Sequence, residues 1–493
     1  MCGFIGIVSP PGNNVIGEIY DGLTAIQHRG QDAAGALTYD GRFHLHKGAG
    51  LVRDVFRQKV IARLVGNVGL GHVRYPTAGG GTEDDAQPLK VSSPYGIGMA
   101  HNGNLTNFAS LKKELSEVDR RHVDTECDVE AILQVFASEL SKSASGELDD
   151  DQIFTAVAAV FRRCKGAYSV VTMIAGYGLV AFRDPLGIKP IILGERTGKA
   201  GRSVCIASES VLLDILDYHR STDLGAGEAA IVRLDGEIVR RKVTDQEHRP
   251  CLFEWVYFAR PDSFLDRVSV YKTRLRCGEA MAEKWTRDAS HLNVDVVMPV
   301  PESARDAAAA MARALGKKYR EGLVKNRYIG RTFIMPDNDG RRRSIRQKLN
   351  AIQLEFENKD VMLVDDSIVR GNTSRQIVQL ARDAGARSVY FVSYSPPLVH
   401  PCVYGIDMST RNEFVARGRD SGEIAEEIGA DFVMYQDLPD LEEAVREGNP
   451  ELKKFCTACF TGDYPTGDVT SEVLARIEGE RLVVQGAIEP LSK

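Results

Sequence analysis

The hydrophobic residues of this chain follow two patterns, which meet near residues 235–250. In the first part, short apolar runs alternate with glycine-rich turns, as is typical of strands in stacked sheets. These runs lie at 3–8, 68–72, 96–100, 167–174 and 179–182. The last two form an uncharged stretch that is too short to span a membrane and is interrupted by glycines. We therefore predict a buried hairpin there.

Two helices are also predicted in this first part. Apolar residues recur at helical spacing over about 14–28, just before Gly30, and a second helical segment covers about 128–140.

The second part has the order strand, loop, helix. An almost continuous apolar run at 294–300 predicts a strand buried on both faces, followed by a loop and a helix that ends at Gly316. The same order returns with a strand at 361–364, a helix to Ala384 and a strand at 388–393. This pattern predicts a parallel sheet that binds ligands at the carboxyl ends of its strands, and so an α/β protein.

Composition narrows the class of protein. A length of 493 residues suits two or three domains, and 43% apolar with 26% charged residues is typical of soluble globular chains. The net charge of -6 argues against a nucleic-acid partner. The start of the chain lacks the features of a secretion signal, so we expect a cytoplasmic protein whose nine cysteines are reduced. Some of these thiols are candidates for holding a metal.

The cysteine at position two is a candidate nucleophile. If Met1 is removed, the α-amino group of Cys2 can act as the base for its own thiol, although a cysteine here could also simply begin a strand. Asn102 and the Gly103 amide suit an oxyanion, but Asn-Gly is also a common hairpin turn. Arg74 can bind a carboxylate and Asp128 an ammonium group, unless Arg74 is simply solvated.

Four motifs carry a family resemblance: Cys2-Gly-x-x-Gly and the runs at 28–32, 71–77 and 101–104. They resemble the class II glutamine amidotransferases, which are N-terminal nucleophile hydrolases. The resemblance implies an αββα sandwich over residues 2–240 that hydrolyses glutamine to glutamate and ammonia. It implies Cys2 as nucleophile, Asn102 and Gly103 as oxyanion hole, and Arg74 and Asp128 as the clamp on the amino-acid end of glutamine. Glu126 and Cys127 depart from the two small hydroxyl residues that the family often has there.

The stretch 361–374 is the most informative in the second part. An apolar strand leads to Asp365 and Asp366, and Gly371 with small hydroxyl residues then opens a helix. A helix start of this kind binds phosphate, and the acids suit ribose hydroxyls directly or through Mg²⁺. An acidic pair alone could be an exposed turn, but this order of strand, acids and loop favours a binding site.

The same stretch resembles the loop of type I phosphoribosyltransferases, which use phosphoribosyl pyrophosphate (PRPP). The resemblance implies a parallel-sheet domain at 250–465, followed by a tail at 466–493. The PRPP-binding residues would be Asp365, Asp366, Ser367, Arg370, Gly371, Asn372, Thr373 and Ser374, with Lys325 and Arg331. The segment 299–305 matches the family's pyrophosphate loop, so the Mg²⁺ ligands would be Ser303, Asp365 and Asp366. Asn372 departs from the threonine that is common in the family.

The segment 325–348 carries eight basic and two acidic residues. It could be a solvated loop or a nucleic-acid patch. The alternative is a mobile lid whose cations neutralise a pyrophosphate leaving group. The acidic net charge of the chain favours the lid.

The order of the two domains resembles the amidophosphoribosyltransferase family through about residue 465, including the linking segment 254–263. This implies that ammonia passes through a channel to PRPP and gives phosphoribosylamine, the first step of purine synthesis. A dry passage would keep ammonia unprotonated and reactive, and Tyr257, Tyr328 and Ile334 are its expected wall. The resemblance also implies a homotetramer inhibited by purine nucleotides such as AMP and GMP.

Four cysteines match the ligands of those family members that carry a [4Fe–4S] cluster: Cys251, Cys402, Cys456 and Cys459. Four thiolates is the number that such a cluster needs, and its role would be structural. The alternative is that they are ordinary buried thiols.

Two rival functions use parts of the same pattern. An aminosugar synthase or asparagine synthetase would share the glutaminase domain, but the loop at 365–374 argues against both. A PRPP-sensing regulator that binds nucleic acid would share the second domain, but Cys2 with its pocket residues and the negative net charge argue against it.

Overall fold

A computed structural model of the chain describes residues 2–75, 83–142, 147–326, 349–406, 408 and 410–484. In its first half, two antiparallel sheets contain the strands that the short apolar runs predict. One sheet has the order β11-β9-β10-β1-β4-β2-β3 and the other β13-β12-β8-β7-β6-β5, where the strands are β1 Gly3–Val8, β2 Ala33–Tyr39, β3 Phe43–Ala49, β4 Val68–Arg74, β5 Leu89–Val91, β6 Ile97–Leu105, β7 Gly166–Ile174, β8 Gly178–Arg183, β9 Ile192–Gly198, β10 Gly201–Ala207, β11 His219–Asp223, β12 Glu228–Arg233 and β13 Ile238–Lys242. The predicted hairpin at 167–182 is β7 and β8.

Alternation along β1 explains how the two sheets pack. Phe4 and Val8 lie in the core between the sheets, whereas Ile5 and Ile7 point to the other face and pack under helix α1. The helices of this half are α1 Ile16–Ala25, α2 Val52–Val55, α3 Gln58–Ile61, α4 Phe108–Glu114, α5 Asp128–Lys142, α6 Asp150–Arg163 and α7 Val211–Ile215. Because α5 and α6 cover the outer face of the second sheet, the layers are α, β, β, α, as predicted.

The first helix is shorter than its pattern predicts. Helix α1 ends at Ala25, and a separate 3₁₀ turn over Gln27–Arg29 carries the chain to Gly30.

The second half contains the predicted parallel sheet, with the order β17-β16-β20-β21-β22. The strands of this half are β14 Phe264–Leu265, β15 Val268–Ser269, β16 Val296–Pro299, β17 Lys318–Tyr319, β18 Leu323–Lys325, β19 Leu349–Ala351, β20 Asp360–Asp365, β21 Ser388–Ser393 and β22 Phe432–Tyr435. The helices are α8 Val270–Asp288, α9 Arg305–Ala314, α10 Gln353–Phe356, α11 Asn372–Asp383, α12 Ser421–Ile428, α13 Leu438–Arg446, α14 Ala458–Thr461 and α15 Ser471–Val484.

Both faces of the parallel sheet are covered by helices. On β20, Val361 and Leu363 belong to the core under α11 and α12, while Met362 and Val364 belong to the core under α8 and α9. A strand buried on both faces needs an unbroken apolar run, which is why the sequence pattern located it well. None of the helices that the structure describes is long and apolar enough to cross a membrane.

A buried network of charges joins the two halves of the chain. Glu209 forms ion pairs with Arg29 and with His28, whose Nε2 lies 2.9 Å from Oε1, and it accepts a 2.7 Å hydrogen bond from Ser263 Oγ. Arg29 Nη2 also donates to Glu254 Oε2 at 2.8 Å. Burial opposes ionisation of Glu209, but the charges of Arg29 and His28 outweigh it and hold the pKa of this carboxyl well below its usual range.

Replacing Arg29 should therefore destabilise the protein strongly. Arg29→Met leaves the buried carboxylates of Glu209 and Glu254 without their cation, and we expect a loss of about 3–5 kcal/mol in the free energy of unfolding. Arg313→Met is the control, because Arg313 pairs with Glu279 on the surface, where a loss of under about 1 kcal/mol is expected. Urea unfolding measures both, and equal losses for the two variants would contradict the importance of the network.

Candidate active sites

The first site lies at one end of β1, β4 and β6. Gly3 on β1 pairs with Val73 on the antiparallel strand β4. Cys2, which precedes Gly3, and Arg74, which follows Val73, therefore lie at the same end of the sheet. The backbone N–H of Cys2 donates to Asn102 Oδ1 at 3.2 Å, and Cys2 Sγ lies 3.6 Å from the carbonyl oxygen of Tyr75. Asn102 Nδ2 is buried and has no hydrogen-bond partner among the described residues. It is thus a donor that a ligand beside Cys2 can use.

Gly103 follows Asn102 on β6 and packs against β7. A Cβ atom on Gly103 would lie 2.0 Å from the carbonyl oxygen of Ala167, so no other residue fits at this position. The close approach of β6 and β7 fixes the backbone at Gly103, the residue after Asn102. The Asn102 side chain and the Gly103 N–H are the two groups that the family resemblance implies as an oxyanion hole.

Arg74 and Asp128 are both buried near this pocket. Arg74 Nη1 lies 3.7 Å from Asp85 Oδ2. Asp128 accepts a 2.8 Å hydrogen bond from the backbone N–H of Leu105, and its other oxygen lies 3.2 Å from His101 Nε2. Burial opposes ionisation of Asp128, but His101 and Arg74 outweigh it and lower its pKa, so the carboxylate is charged at neutral pH. It can therefore attract the ammonium group of an amino acid.

The sequence motif did not indicate that His101 is the partner of Asp128. The two residues lie on different elements, β6 and α5, and only the packing of α5 on the second sheet brings them together.

Of the two residues that depart from the family pattern, only Cys127 points inward. Gln87 Nε2 donates to Cys127 Sγ at 3.4 Å, and burial together with Asp128 raises the pKa of this thiol to about 12. Glu126 is exposed and pairs with Lys112 at 3.1 Å. The change at Cys127 therefore bears on the shape of the pocket, whereas Glu126 does not.

The second site lies at the carboxyl end of β20. Asp365 Oδ1 accepts a 2.9 Å hydrogen bond from the backbone N–H of Asp366. Asp366 accepts from Ser367 Oγ at 2.6 Å and from the hydroxyl of Ser303, which follows the neighbouring strand β16. Both carboxyl groups are buried, and burial raises the pKa of each, with the charge of Asp366 raising the pKa of Asp365 further. This is an oxygen-rich site that a cation would stabilise.

The start of α11 adjoins this acidic pair in the sequence. Helix α11 begins at Asn372 after Gly371, which has no side chain to cap the first turn. Ser374 is buried, while Asn372 and Thr373 are exposed. The uncapped N–H groups and the hydroxyls of this turn are suited to an anion such as phosphate.

The remaining residues predicted to bind PRPP are placed differently. Arg370 Nε lies 3.2 Å from Glu413 Oε1, and Lys325 is exposed at the end of β18. Arg331, with Tyr328 and Ile334 of the expected channel wall, lies outside the described residues. Tyr257 is about half-exposed (48%) in a π-helical turn over Glu254–Phe258.

Four buried cysteine thiols come from three separate segments of the second half: Cys251, Cys402, Cys456 and Cys459. The backbones of Cys251 and Cys456 form an isolated parallel β-bridge. Burial, followed by the neighbouring thiols, raises the pKa of Cys459 well above its ordinary value. No group of three or more histidine, cysteine or acidic side chains able to hold a metal ion occurs among the described residues.

Both sites lie in parts of the chain that are similar to known proteins. Residues 74–214 match a family model described as a glutamine amidotransferase domain. The chain is 52% identical to the amidophosphoribosyltransferase of Pseudomonas aeruginosa, over 98% of this chain and 96% of that protein.

Solved structures are similar over nearly the whole length. A glutamine PRPP amidotransferase from B. subtilis, complexed with ADP and GMP, superposes with a TM-score of 0.82 at 35% identity, over 94% of this chain and 97% of the other. A structure described as the allosteric regulatory enzyme of purine biosynthesis gives a TM-score of 0.85 at 36% identity, over 97% and 99%.

The raised pKa of Asp365 at the second site predicts that the stability of the protein depends on pH. Because the pKa of Asp365 is raised on folding, the native protein holds protons that the unfolded chain releases, and stability falls as pH rises above about 4. Asp365→Asn should raise the free energy of unfolding at pH 7 by about 0.5–2 kcal/mol, with a smaller gain at pH 5. Thermal unfolding without divalent ions measures this, with the exposed Asp21→Asn as control. A variant no more stable than the parent at pH 7 would refute it.

Proposed function

This chain belongs to the amidophosphoribosyltransferase family of purine biosynthesis, and on this premise we propose how its two sites divide the reaction. Glutamine is hydrolysed at Cys2, and the ammonia displaces pyrophosphate from PRPP to give 5-phosphoribosylamine. The observation that carries this proposal is that one chain holds both a buried Cys2 beside the available donor Asn102 Nδ2 and a buried acidic pair at the end of a parallel sheet.

The first reaction uses Cys2 as both nucleophile and base. Once Met1 is removed, the α-amino group takes the proton of Sγ, and the thiolate attacks the side-chain amide carbon of glutamine. Asn102 Nδ2 and the Gly103 N–H donate to the oxyanion that forms. The amine returns its proton to the departing ammonia, and water then hydrolyses the thioester to release glutamate.

Two buried charged residues orient the substrate at this site. Arg74 binds the α-carboxylate of glutamine, and Asp128, kept ionised by His101, binds the α-ammonium group. Asn102 Oδ1, which accepts from the nitrogen of Cys2, keeps that nitrogen turned toward the pocket.

The second reaction takes place over the end of β20. The first turn of α11, with Gly371 to Ser374, binds the 5-phosphate, and Asp365 and Asp366 face the ribose hydroxyls. Mg²⁺ commonly takes one or two carboxylates together with substrate phosphates, and the paired Asp365 and Asp366 beside Ser303 fit that requirement. When bound, Mg²⁺ neutralises the charge of the diphosphate leaving group.

Ser367, Arg370, Asn372 and Thr373 complete the proposed phosphate loop. Lys325 and Arg331 would contribute positive charge from the proposed lid, of which residues 327–348 lie outside the described residues.

The π-helical turn Glu254–Phe258 is the proposed route between the sites. Arg274 donates to the carbonyl oxygens of Trp255 at 3.0 Å and Ala259 at 2.8 Å. The Tyr394 hydroxyl lies 2.7 Å from Val256 O and 3.2 Å from Ser303 O. These contacts connect the turn with the loop that carries Ser303. Ammonia would pass along this turn, with Tyr257 in the wall.

The four cysteines fit a [4Fe–4S] cluster better than a single metal ion. All four thiols are buried, and burial followed by the neighbouring thiols raises the pKa of Cys456 and of Cys459, yet the four do not form a group able to hold one ion. A four-iron cluster is wider than one ion, so its thiolates stand further apart. Bound by Cys251, Cys402, Cys456 and Cys459, the cluster would join three separate segments of the chain.

The proposal extends to organisation and regulation. The glutaminase domain would cover 2–240, the transferase domain 250–465 and the tail 466–493. We expect a cytoplasmic homotetramer inhibited by purine nucleotides such as AMP and GMP, in keeping with the ADP and GMP bound to the B. subtilis relative.

Cys2→Ala tests the division of labour. Synthesis with glutamine should fall by at least about 10³-fold, because the nucleophile is gone. Synthesis with added ammonium should stay unchanged, because the second site does not use Cys2. Pyrophosphate release measures both, and Cys205→Ala, at another buried cysteine, is the control. Loss of both activities, or continued use of glutamine, would contradict the proposal.

The cluster has its own test, in protein purified without oxygen. We expect about four iron atoms per chain and absorbance near about 400 nm, both lost in Cys459→Ser. Cys277→Ser, at a buried cysteine on α8, should retain both. Parent protein without iron or this absorbance would show that the four cysteines are ordinary buried thiols.

A further inference from the structure

The second half of the chain packs directly on the oxyanion strand of the first half. A Cβ atom on Gly405 would lie 2.9 Å from both the carbonyl carbon and the carbonyl oxygen of Gly103. Gly405 has a φ of +98°, which favours glycine. Beside this contact, Asn104 Nδ2 donates to the carbonyl oxygen of Val403 at 2.9 Å.

The contact continues along the strand and its exit. Thr106 Oγ1 donates to Asp468 Oδ2 at 2.5 Å, and Arg476 Nη2 donates to the carbonyl oxygen of Thr106 at 2.8 Å. Residues from 403 to 476 therefore hold Gly103, Asn104 and Thr106. The first half supplies the oxyanion donors, but the second half forms one of the walls around them.

We propose that segment 403–405 positions the oxyanion hole, with Gly405 as its principal positioning residue. This inference rests on the proposed role of Gly103 at Cys2. Gly405 packs on the Gly103 carbonyl, in the peptide that follows the one carrying the Gly103 N–H, and Ala167 on β7 crowds the Cα of Gly103, so Gly103 cannot shift away from Gly405 without displacing backbone. Glycine is otherwise the residue with the greatest backbone freedom, whereas an oxyanion hole works only when its donors are fixed beforehand.

The contact between Gly405 and Gly103 should affect only one step, the reaction of bound glutamine at Cys2. Asp128, which is proposed to bind the far end of glutamine, is held by the N–H of Leu105 and by His101, and neither contact involves the Gly103 peptide. Displacing Gly405 should therefore reduce turnover of bound glutamine and leave its binding intact, since the oxyanion exists only during reaction. Transfer of added ammonium to PRPP should not change, because it needs no oxyanion hole.

Gly405→Ala is the direct test in the full-length protein. The added methyl group pushes on the Gly103 carbonyl, and we expect the glutamine kcat to fall about 10²-fold, with the KM for glutamine and the rate with ammonium unchanged. Gly467→Ala is the matched control, because Gly467 also has a positive φ (+73°) but no atom lies within 4 Å of its added Cβ. It should match the parent in all three quantities.

Asn104→Ala gives a second test that adds no strain. It removes the hydrogen bond to Val403, and we expect a smaller fall in glutamine kcat, about 10-fold, again with ammonium use intact. It decides the question if Gly405→Ala does not fold.

The outcomes separate this inference from the proposed function. The inference is overturned if Gly405→Ala matches Gly467→Ala, if KM changes in place of kcat, or if ammonium-dependent synthesis falls in parallel with glutamine use. Parent protein that forms no phosphoribosylamine from either nitrogen source would instead overturn the proposed function.

Discussion

Buried ion pairs between the two halves of the chain hold the two candidate sites in one body. Arg29 of the first half pairs with Glu209 of the same half and with Glu254 at the start of the second. Arg183 adds a bidentate pair with Asp266 at 2.6 and 2.9 Å. Charges removed from water are tolerated only while their partners stay in place. The two halves are thereby held in one arrangement, with Glu254 opening the turn that lies between the two sites.

A fixed arrangement matters because each site needs groups from outside its own sheet. On β6, Gly103 is backed by Gly405, and the loop at Ser303 is connected through Tyr394 to the turn between the halves. Ammonia is small and is protonated in water, so its transfer requires that both reactions occur within one enclosed body. The packing along the proposed route thus also positions groups of both sites.

Local patterns predicted the strands well, because burial on one or both faces leaves a clear signature in the sequence. The strand 388–393 agrees at both ends, and the acidic pair falls at the end of β20 as expected. Long-range partners were not predictable. His101 meets Asp128 only through helix packing, and Arg29, part of a motif that suggested the glutamine pocket, belongs to the ion-pair network between the halves. Nothing near Gly405 in the sequence indicates that it contacts Gly103.

We propose that two reactions are coupled within this chain, and the coupling can be measured as glutamate and pyrophosphate released in the same assay. With glutamine, PRPP and Mg²⁺ present, we expect equal amounts of both products, and very little glutamate when PRPP is omitted. Glutamate released at the same rate without PRPP, and with no pyrophosphate in its presence, would contradict the coupling. It would leave Cys2 as the nucleophile of a glutaminase whose ammonia goes to a different acceptor.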